Sequence, residues 1–283
     1  MPVLAAHHRK HLVSRSGVIR EPAWVQSLLI GVAVVFVFLT LVFPVTAVFW
    51  WALRDGPVRY LQALISHDSL SAIGLTLLTT AIVVPLNTVF GLATAWLITK
   101  HQFWGKSLLI TIVDLPFSVS PVIAGLLFVL LCGRNGLLAP LLQWAQIPII
   151  FATPGIVIAT AFVTLPFVAR EVLTQMQSQG SDAEQAALTL GASGWQTFVF
   201  VTIPKVRWSL LYGVVLCSAR AMGEFGAVSV VSGHVRGQTD TIPLAIEILY
   251  NDYDFTGAFA LASLLTLFAL VTLVLKKMVE AKA

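Results

Sequence analysis

Three charged side chains interrupt long apolar stretches of the chain: Asp114, Arg220 and Glu224. A charge near the centre of a bilayer costs about 2.5 to 3.5 kcal/mol on insertion scales, so each is expected to face a partner or a cavity. Arg220 and Glu224 are four residues apart, which places them on one face of a helix where they can pair. Asp114 stands near Pro116, and a proline that opens a helix can supply hydrogen-bond partners for a structural carboxylate.

Two interpretations of Arg220 remain open. In the first, Arg220 and Glu224 form an internal ion pair that orients their helix, as intramembrane charges often do. In the second, the guanidinium helps an anion to pass, because its planar set of donors suits an oxyanion. Asp114 and Glu224 then belong to the same candidate anion pathway.

No pattern in the sequence indicates catalysis or metal binding. The chain offers no catalytic triad, carboxylate pair in a pocket or His-rich helix. His7, His8 and His11 lie in the N-terminal tail, where a solvated role is favoured over metal binding. The tripeptide at 105–107 resembles the end of a phosphate-binding loop, but Lys100 stands where that loop needs glycine. The chain is therefore predicted to be neither an enzyme nor the carrier of a nucleotide, metal or other cofactor.

The composition shows which solvent must surround these residues. Hydrophobic residues make up 58% of the chain and charged residues 11%, whereas about 25% charge is typical of soluble domains. The net charge of +4 does not indicate nucleic-acid binding, because the basic residues stand at the ends of apolar stretches and not on one face. Cys132 and Cys217 lie within apolar stretches, so neither a disulfide framework nor a metal site is predicted. The lipid bilayer is the expected environment.

Six stretches are long and apolar enough to cross a hydrocarbon core, which takes about 20 residues for roughly 30 Å. No alternation of strand period competes with them, so the predicted fold class is an all-α integral membrane protein with six transmembrane helices. Prolines interrupt several stretches, which helix bundles tolerate where neighbours or cavity water satisfy the freed carbonyls. The stretches are 25–51, 71–99, 107–132, 147–168, 208–231 and 255–275.

Lysines and arginines in the loops orient the chain, because positive loops stay in the cytoplasm. With both termini inside, twelve of them lie on the inner side and four on the outer side. The first apolar stretch is too long for a signal peptide and is predicted to be a retained helix. The predicted organisation is a basic cytoplasmic tail at 1–24, a first transmembrane helix and outer loop at 25–66, a membrane domain at 67–275 with a long inner loop at 169–207, and a cytoplasmic tail at 276–283.

The inner loop at 169–207 is predicted to contain two short helices. Ser181 and Glu184 have the spacing of a capping box, and the helix they begin is expected to stop at Gly191. Ser193 and Gln196 repeat that spacing and begin the second short helix. Pro204 is predicted to lie in the first turn of the fifth transmembrane helix.

The first of these short helices carries a narrow apolar stripe of mostly small side chains. Small side chains permit close docking, either on the protein's own helix ends or on a partner, and periodicity alone leaves both open. The stripe consists of Ala183, Ala186, Ala187 and Leu190.

The same loop resembles the signature of the permease subunits of ABC importers, which reads Glu-Ala-Ala, three residues, Gly, nine residues, Ile, one residue, Leu-Pro. The spacing in this chain matches the signature throughout. Val201 stands at the position of the signature Ile, and Ile203 at that of the signature Leu. Gln185 occupies the position of the signature Glu, and Glu184 precedes it. The resemblance implies that residues 184–191 form a coupling helix that docks on a separate ATPase. The candidate ATPase-coupling residues are Glu184, Gln185, Ala186, Ala187, Gly191 and Pro204.

Three further segments, at 114–121, 219–226 and 241–244, resemble the sulfate and molybdate branch of these permeases. The resemblance covers nearly all of the chain from the first helix onward. It implies that 67–275 is a type-1 ABC transmembrane domain, which forms half of a pathway for sulfate or thiosulfate and works by alternating access.

The resemblance also implies partners and a location. The partners are a second and different permease chain, an ATPase homodimer that binds ATP and Mg, and a periplasmic sulfate/thiosulfate-binding protein. The location is the bacterial cytoplasmic (inner) membrane, with both termini in the cytoplasm. The outer segment at 233–254 is either a solvated loop or the place that receives the loaded binding protein.

Two alternative functions remain. A molybdate-type permease would work as a homodimer, and the sequence does not separate related oxyanions because the binding protein makes most of that choice. An ion-coupled secondary transporter is a different class, whose inverted repeats and midplane acids in broken helices are not found in this sequence.

Overall fold

Helices form all of the regular secondary structure in residues 22–280, the range that this computed structural model describes. This range contains no β-strand, so the predicted all-α class is confirmed. Most of the basic tail predicted at 1–24, with His7, His8 and His11, lies outside the described range, and so do residues 281–283.

Five helices are long and apolar enough to cross a membrane, and a sixth span is formed if the bent pair Lys106–Ser118 and Pro121–Cys132 counts as one. This agrees with the six predicted stretches. The helices are α1 (Ala23–Val37), α2 (Phe43–Leu53), α3 (Pro57–Leu64), α4 (His67–Lys100), α5 (Lys106–Ser118), α6 (Pro121–Cys132), α7 (Ala139–Ala145), α8 (Thr153–Gln179), α9 (Asp182–Thr189), α10 (Gly194–Thr197), α11 (Ile203–Met222), α12 (Gly226–Val231), α13 (Ile242–Asn251) and α14 (Phe255–Glu280).

The chain divides into two units between Ala47 and Val48. In the first unit, α1 and the turn that follows it have no buried side chain, and apolar residues occupy every side of the helix. A helix that is hydrophobic all round is typical of a membrane span. The second unit contains the other spans.

Five prolines lie inside the helices of residues 22–280, at positions 44, 85, 116, 166 and 204, and a wider helical turn precedes two of them. The π-helical turns are Phe38–Val42, before Pro44, and Phe198–Thr202, before Pro204. Proline lacks an N–H and its ring clashes with the carbonyl four residues earlier, whereas a π turn changes the bonding at that carbonyl. Pro204 lies in the first turn of α11, as predicted. The span itself begins earlier, because α10 and the π turn continue into α11 and the whole helix runs from Gly194 to Met222.

Three predicted span boundaries differ from the structure. The stretch 107–132 is two helices that meet at 112°, where Val119 is extended and Pro121 starts the second helix. The stretch 208–231 is interrupted after Met222. The fourth span continues to Gln179 instead of ending near residue 168, so the inner loop begins at Gly180.

Small residues hold α4, α8 and α11 close together. A Cβ at Gly91 would lie 2.8 Å from the backbone nitrogen of Ala169, and a Cβ at Gly213 would lie 3.0 Å from the Cα of Val168. Between α4 and α8, the buried Asn87 amide donates to the carbonyl of Ala161 (3.0 Å) and to the Thr164 hydroxyl (2.8 Å). Close backbone approach and interhelical hydrogen bonds are the main devices of helix association in membranes. They place the ends of α4, α8 and α11 beside α9.

Candidate coupling site and membrane ion pairs

The helix α9 ends in a Schellman motif at Gly191. The Gly191 N–H donates to the carbonyl of Leu188 (3.0 Å), and the Ala192 N–H donates to the carbonyl of Ala187 (3.1 Å). Gly191 has a φ of +89°, a left-handed conformation that glycine adopts without strain. Because a Cβ there would meet nothing within 4 Å, the backbone angle and not the space requires glycine. The predicted stop is confirmed.

Of the two predicted capping boxes, one is present. The Ser193 hydroxyl accepts from the Gln196 N–H and the Gln196 side chain accepts from the Ser193 N–H, as predicted. The box predicted at Ser181 is wrong, because Ser181 makes no side-chain capping bond to α9. Its hydroxyl instead accepts from the Gln185 side chain (2.9 Å), and Glu184 turns away to lysines.

The apolar stripe of α9 lies on the surface of the chain. Ala183 and Ala186 are exposed, Ala187 is half-buried, and 88% of Leu190 is exposed. Packing of the stripe on the protein's own helix ends is therefore excluded for this structure. With Trp195, 72% exposed, the stripe forms an apolar surface next to two helix starts, and it is available for a partner.

The side of α9 next to Ala187 carries Glu184, which is 9% exposed. Its Oε1 lies 3.2 Å from the Lys100 Nζ and accepts a hydrogen bond from the Thr202 hydroxyl (3.3 Å). Its Oε2 lies 4.0 Å from the Lys205 Nζ, a distance that allows an ion pair but not a hydrogen bond. In the sequence, Lys205 served only to orient the chain, and Lys100 served in addition to reject a phosphate-binding loop. Their pairing with Glu184 could have been predicted, because both lysines stand at helix ends next to the loop that contains this carboxylate.

Arg220 and Glu224 form the predicted ion pair. The Arg220 Nη1 and Glu224 Oε2 are 2.6 Å apart, and the Glu224 side chain is 1% exposed while that of Arg220 is 33% exposed. The other carboxylate oxygen, Oε1, accepts from the Ala227 N–H (2.9 Å) in the first turn of α12. The pair therefore bridges the break between α11 and α12, where Glu224 satisfies one of the free donors of the helix start.

Asp114 pairs with a residue that the sequence prediction counted in a loop. The Arg170 Nε donates to the Asp114 Oδ1 (2.6 Å), and the Arg170 guanidinium also lies over the Phe117 ring, 5.6 Å from its centre. Both charged residues line a cavity of about 260 Å³ between α4, α5 and α8. The three candidate pathway residues are thus found in two separate ion pairs, Asp114 with Arg170 and Arg220 with Glu224.

The predicted outer segment at 233–254 is not a solvated loop, since α13 lies within it and buries Ile242, Leu244 and Ala245. Of its charged residues, Arg236 pairs with Asp252 near the surface. Asp240 is 5% exposed, and its buried Oδ1 has no hydrogen-bond partner among residues 22–280.

The environment of Asp240 opposes its ionisation. Burial raises the pKa of its carboxyl above the ordinary value, and Asp68 raises it further. His234 and Arg236 act against this increase and lower the pKa of Asp240, without cancelling the effect of burial.

Among the described residues, no group of three His, Cys, Asp or Glu side chains has the arrangement of a metal site. The sequence pattern of a phosphate-binding loop also has no structural support at 105–107, because helix α4 precedes that turn.

Comparison with known proteins identifies relatives over nearly the whole chain. Residues 87–283 match the family described as "binding-protein-dependent transport system inner membrane component". The chain is 52% identical over 267 residues to a protein of Synechococcus elongatus named sulfate transport system permease protein CysW, covering 94% of this chain and 93% of the relative. The protein of the same name in Escherichia coli is 50% identical over 257 residues, covering 91% and 88%.

A second kind of relative is more distant. The Escherichia coli protein named sulfate transport system permease protein CysT is 34% identical over 253 residues, covering 87% of this chain and 91% of the relative. Among solved structures, a chain of a bacterial alginate ABC transporter superimposes with a TM-score of 0.74 at 19% identity, covering 90% of this chain and 92% of that chain. At this identity the likeness concerns the fold, which is that of a type-1 ABC transmembrane domain.

Proposed function

This chain belongs to the family of binding-protein-dependent transport system inner membrane components, and we propose that it is a transmembrane subunit of an ATP-driven sulfate importer. Relatives that cover nine-tenths of the chain bear the name of sulfate permeases, and this supports sulfate over other cargo. The exposed face of α9 is the structural observation that carries the proposal, because a transport subunit without a nucleotide site needs a surface that meets its energy source.

The proposed partner at this surface is a separate ATPase that binds ATP and Mg. Ala183, Ala186 and Leu190 present small and apolar contacts on one side of α9, which suits close docking. Gly191 fixes the direction of the chain after the helix, and the capping box at Ser193 begins the next helix at once. ATP binding and hydrolysis at the partner would then alternate the pathway between two states, to which the ligands must bind with different affinity.

A second permease chain and a binding protein complete the proposed complex. One bacterium, Escherichia coli, has relatives of two kinds, CysW and CysT, which supports a pair of different permease subunits. The excess of basic residues at the predicted inner side supports a cytoplasmic location for both termini and for α9, in a bacterial inner membrane. The other side would receive a periplasmic binding protein loaded with sulfate or thiosulfate.

The pathway residues stay a separate proposal. Arg220 is the candidate contact for the anion, since a third of its side chain is exposed while Glu224 is buried beneath it. An oxyanion that reached Arg220 would compete with Glu224 for the same donors. Asp114 with Arg170 is the weaker candidate, because the acid already neutralises the arginine.

Purification from the native membrane in mild detergent tests the composition of the complex. We expect the chain to co-purify with one ATPase, present in two copies, and with a second permease of different sequence. A complex that contains two copies of this chain and no second permease would support the molybdate-type homodimer instead. Recovery of the chain without any ATPase, from membranes that take up sulfate, would contradict the proposed function.

A further inference from the structure

One carboxylate, Glu184, joins α9 to the ends of two membrane-spanning helices. Lys100, 3.2 Å away, is the last residue of α4, and Lys205, 4.0 Å away, lies in the first turn of α11. Thr202, whose hydroxyl donates to the same carboxylate, belongs to the π turn that leads into α11. The side chains of Glu184 and Lys100 are only 12% and 16% exposed, so solvent screens their attraction weakly.

Two hydrogen bonds to the backbone add the end of α8 to the same junction. The Lys100 Nζ donates to the carbonyl of Gly180 (3.4 Å), and the Gln179 side chain donates to the carbonyl of Lys205 (3.2 Å). Because every bond of this junction has a side chain on at least one side, each can be removed by replacing that side chain.

Glu184 does not share the exposed face of α9. The residues on that face, Ala183 and Ala186, are exposed, whereas Glu184 is buried on the side of the spans. The neighbouring Gln185 is occupied by its bond to Ser181. A partner that docks on the exposed face would therefore move α9 without touching Glu184.

We propose that Glu184 is a positioning residue that transmits a displacement of α9 to the inner ends of α4 and α11. This inference rests on the proposed function, because it assumes a partner that displaces α9. Removing the charge of Glu184 leaves the partly buried amines of Lys100 and Lys205 without their counter-charge, and such a loss weakens the attachment more than the bond alone would suggest.

The test measures coupling instead of activity alone. In proteoliposomes that hold the complete complex, sulfate taken up per ATP hydrolysed is compared for wild type, Glu184→Gln and Lys100→Gln. Coupling free energies between sites correspond to about 5- to 150-fold effects, so we expect uptake per ATP to fall at least about fivefold in both variants. ATPase co-purification should remain at the wild-type level, since the exposed face is unchanged. Lys106→Gln is the matched control, because Lys106 bonds to the carbonyl of His101 and not to Glu184.

A covalent tether gives a second measurement that does not depend on charge. The variant Lys100→Cys with Glu184→Cys, in a Cys132→Ala background, should lose coupling when reduced and regain it when a short bifunctional thiol reagent joins the two positions. Restoration supports a mechanical role, and failure of the joined protein to recover overturns it.

The remaining outcomes separate this inference from the proposed function. Normal uptake per ATP in Glu184→Gln, or loss of ATPase co-purification in that variant, overturns the inference while wild-type transport still supports the function. Absence of ATP-dependent sulfate uptake by the wild-type complex contradicts the proposed function itself.

Discussion

Replacing Gly191 by valine tests whether the turn after α9 is needed for coupling. The φ of +89° at this position is unfavourable for any residue with a Cβ, at a cost of about 1–2 kcal/mol, and more so for a β-branched side chain. No steric clash adds to this cost, because the space around the Cβ position is open. A cost of this size lowers the ratio of native to non-native turn by a factor of about 5–30.

We therefore expect Gly191→Val to insert into the membrane normally but to lose ATPase co-purification and sulfate uptake, each by up to about 30-fold. Gly191→Asn should keep most of both, since asparagine tolerates the left-handed conformation. Gly194→Val is the matched control: Gly194 is three residues away, does not have a positive φ and has the same open space.

Both quantities are measured on membranes that contain equal amounts of the chain, by pull-down of the ATPase and by uptake of radiolabelled sulfate. Normal co-purification and uptake in Gly191→Val would contradict a coupling role for this turn. An equal loss in Gly194→Val would also contradict it, because the backbone angle at Gly191 would then not be the cause.

Three other perturbations give separate checks. If Arg220 contacts the anion, the uptake lost in Arg220→Gln should stay low when Glu224→Gln is added, with uptake normalised to assembled complex. Recovery of full uptake in the double variant would show that Arg220 only neutralises Glu224. Gly91→Val should lower the free energy of unfolding by about 1–3 kcal/mol, because the added atoms meet the Ala169 backbone. An unchanged melting temperature would contradict the close approach of α4 and α8. Asp240→Asn should stabilise the protein at pH values above the raised pKa of Asp240. With Asp240 present, the free energy of unfolding is highest below the pKa of this group in the unfolded chain and decreases as the pH rises through its pKa in the folded protein. Melting temperatures measured against pH should therefore depend less on pH in Asp240→Asn, and an unchanged dependence would contradict the burial of an ionisable Asp240.

The span positions and the turn at Gly191 could be predicted because both depend on local sequence. Apolar length decides whether a helix can cross a bilayer, and a glycine after an amphipathic stretch decides where a helix stops. The end of the fourth span could not be predicted in this way. Residues 170–179 mix polar and apolar side chains and continue α8 beyond the apolar stretch. Val172 and Met176 are buried in the core there, and Arg170 and Gln179 bond to Asp114 and Lys205, which are distant in sequence.

The partners of the charged residues depended on tertiary structure. The pair Arg220–Glu224 could be predicted, because its members are one helical turn apart. The pairs Arg170–Asp114 and Lys100–Glu184 join residues 56 and 84 positions apart, for which spacing carries no signal. Glu184 also shows why a local pattern fails when a stronger partner is near, since its spacing from Ser181 fits a capping box while two lysines draw it to the other side of α9.

Uptake of sulfate into proteoliposomes tests the central claim most directly. The vesicles contain this chain, the second permease and the ATPase, with loaded binding protein on one side and ATP on the other. The account predicts that sulfate accumulates only when ATP, the ATPase and the binding protein are all present, and that a proton or sodium gradient does not replace ATP. Accumulation of sulfate by this chain alone on an ion gradient, without ATP, would contradict it.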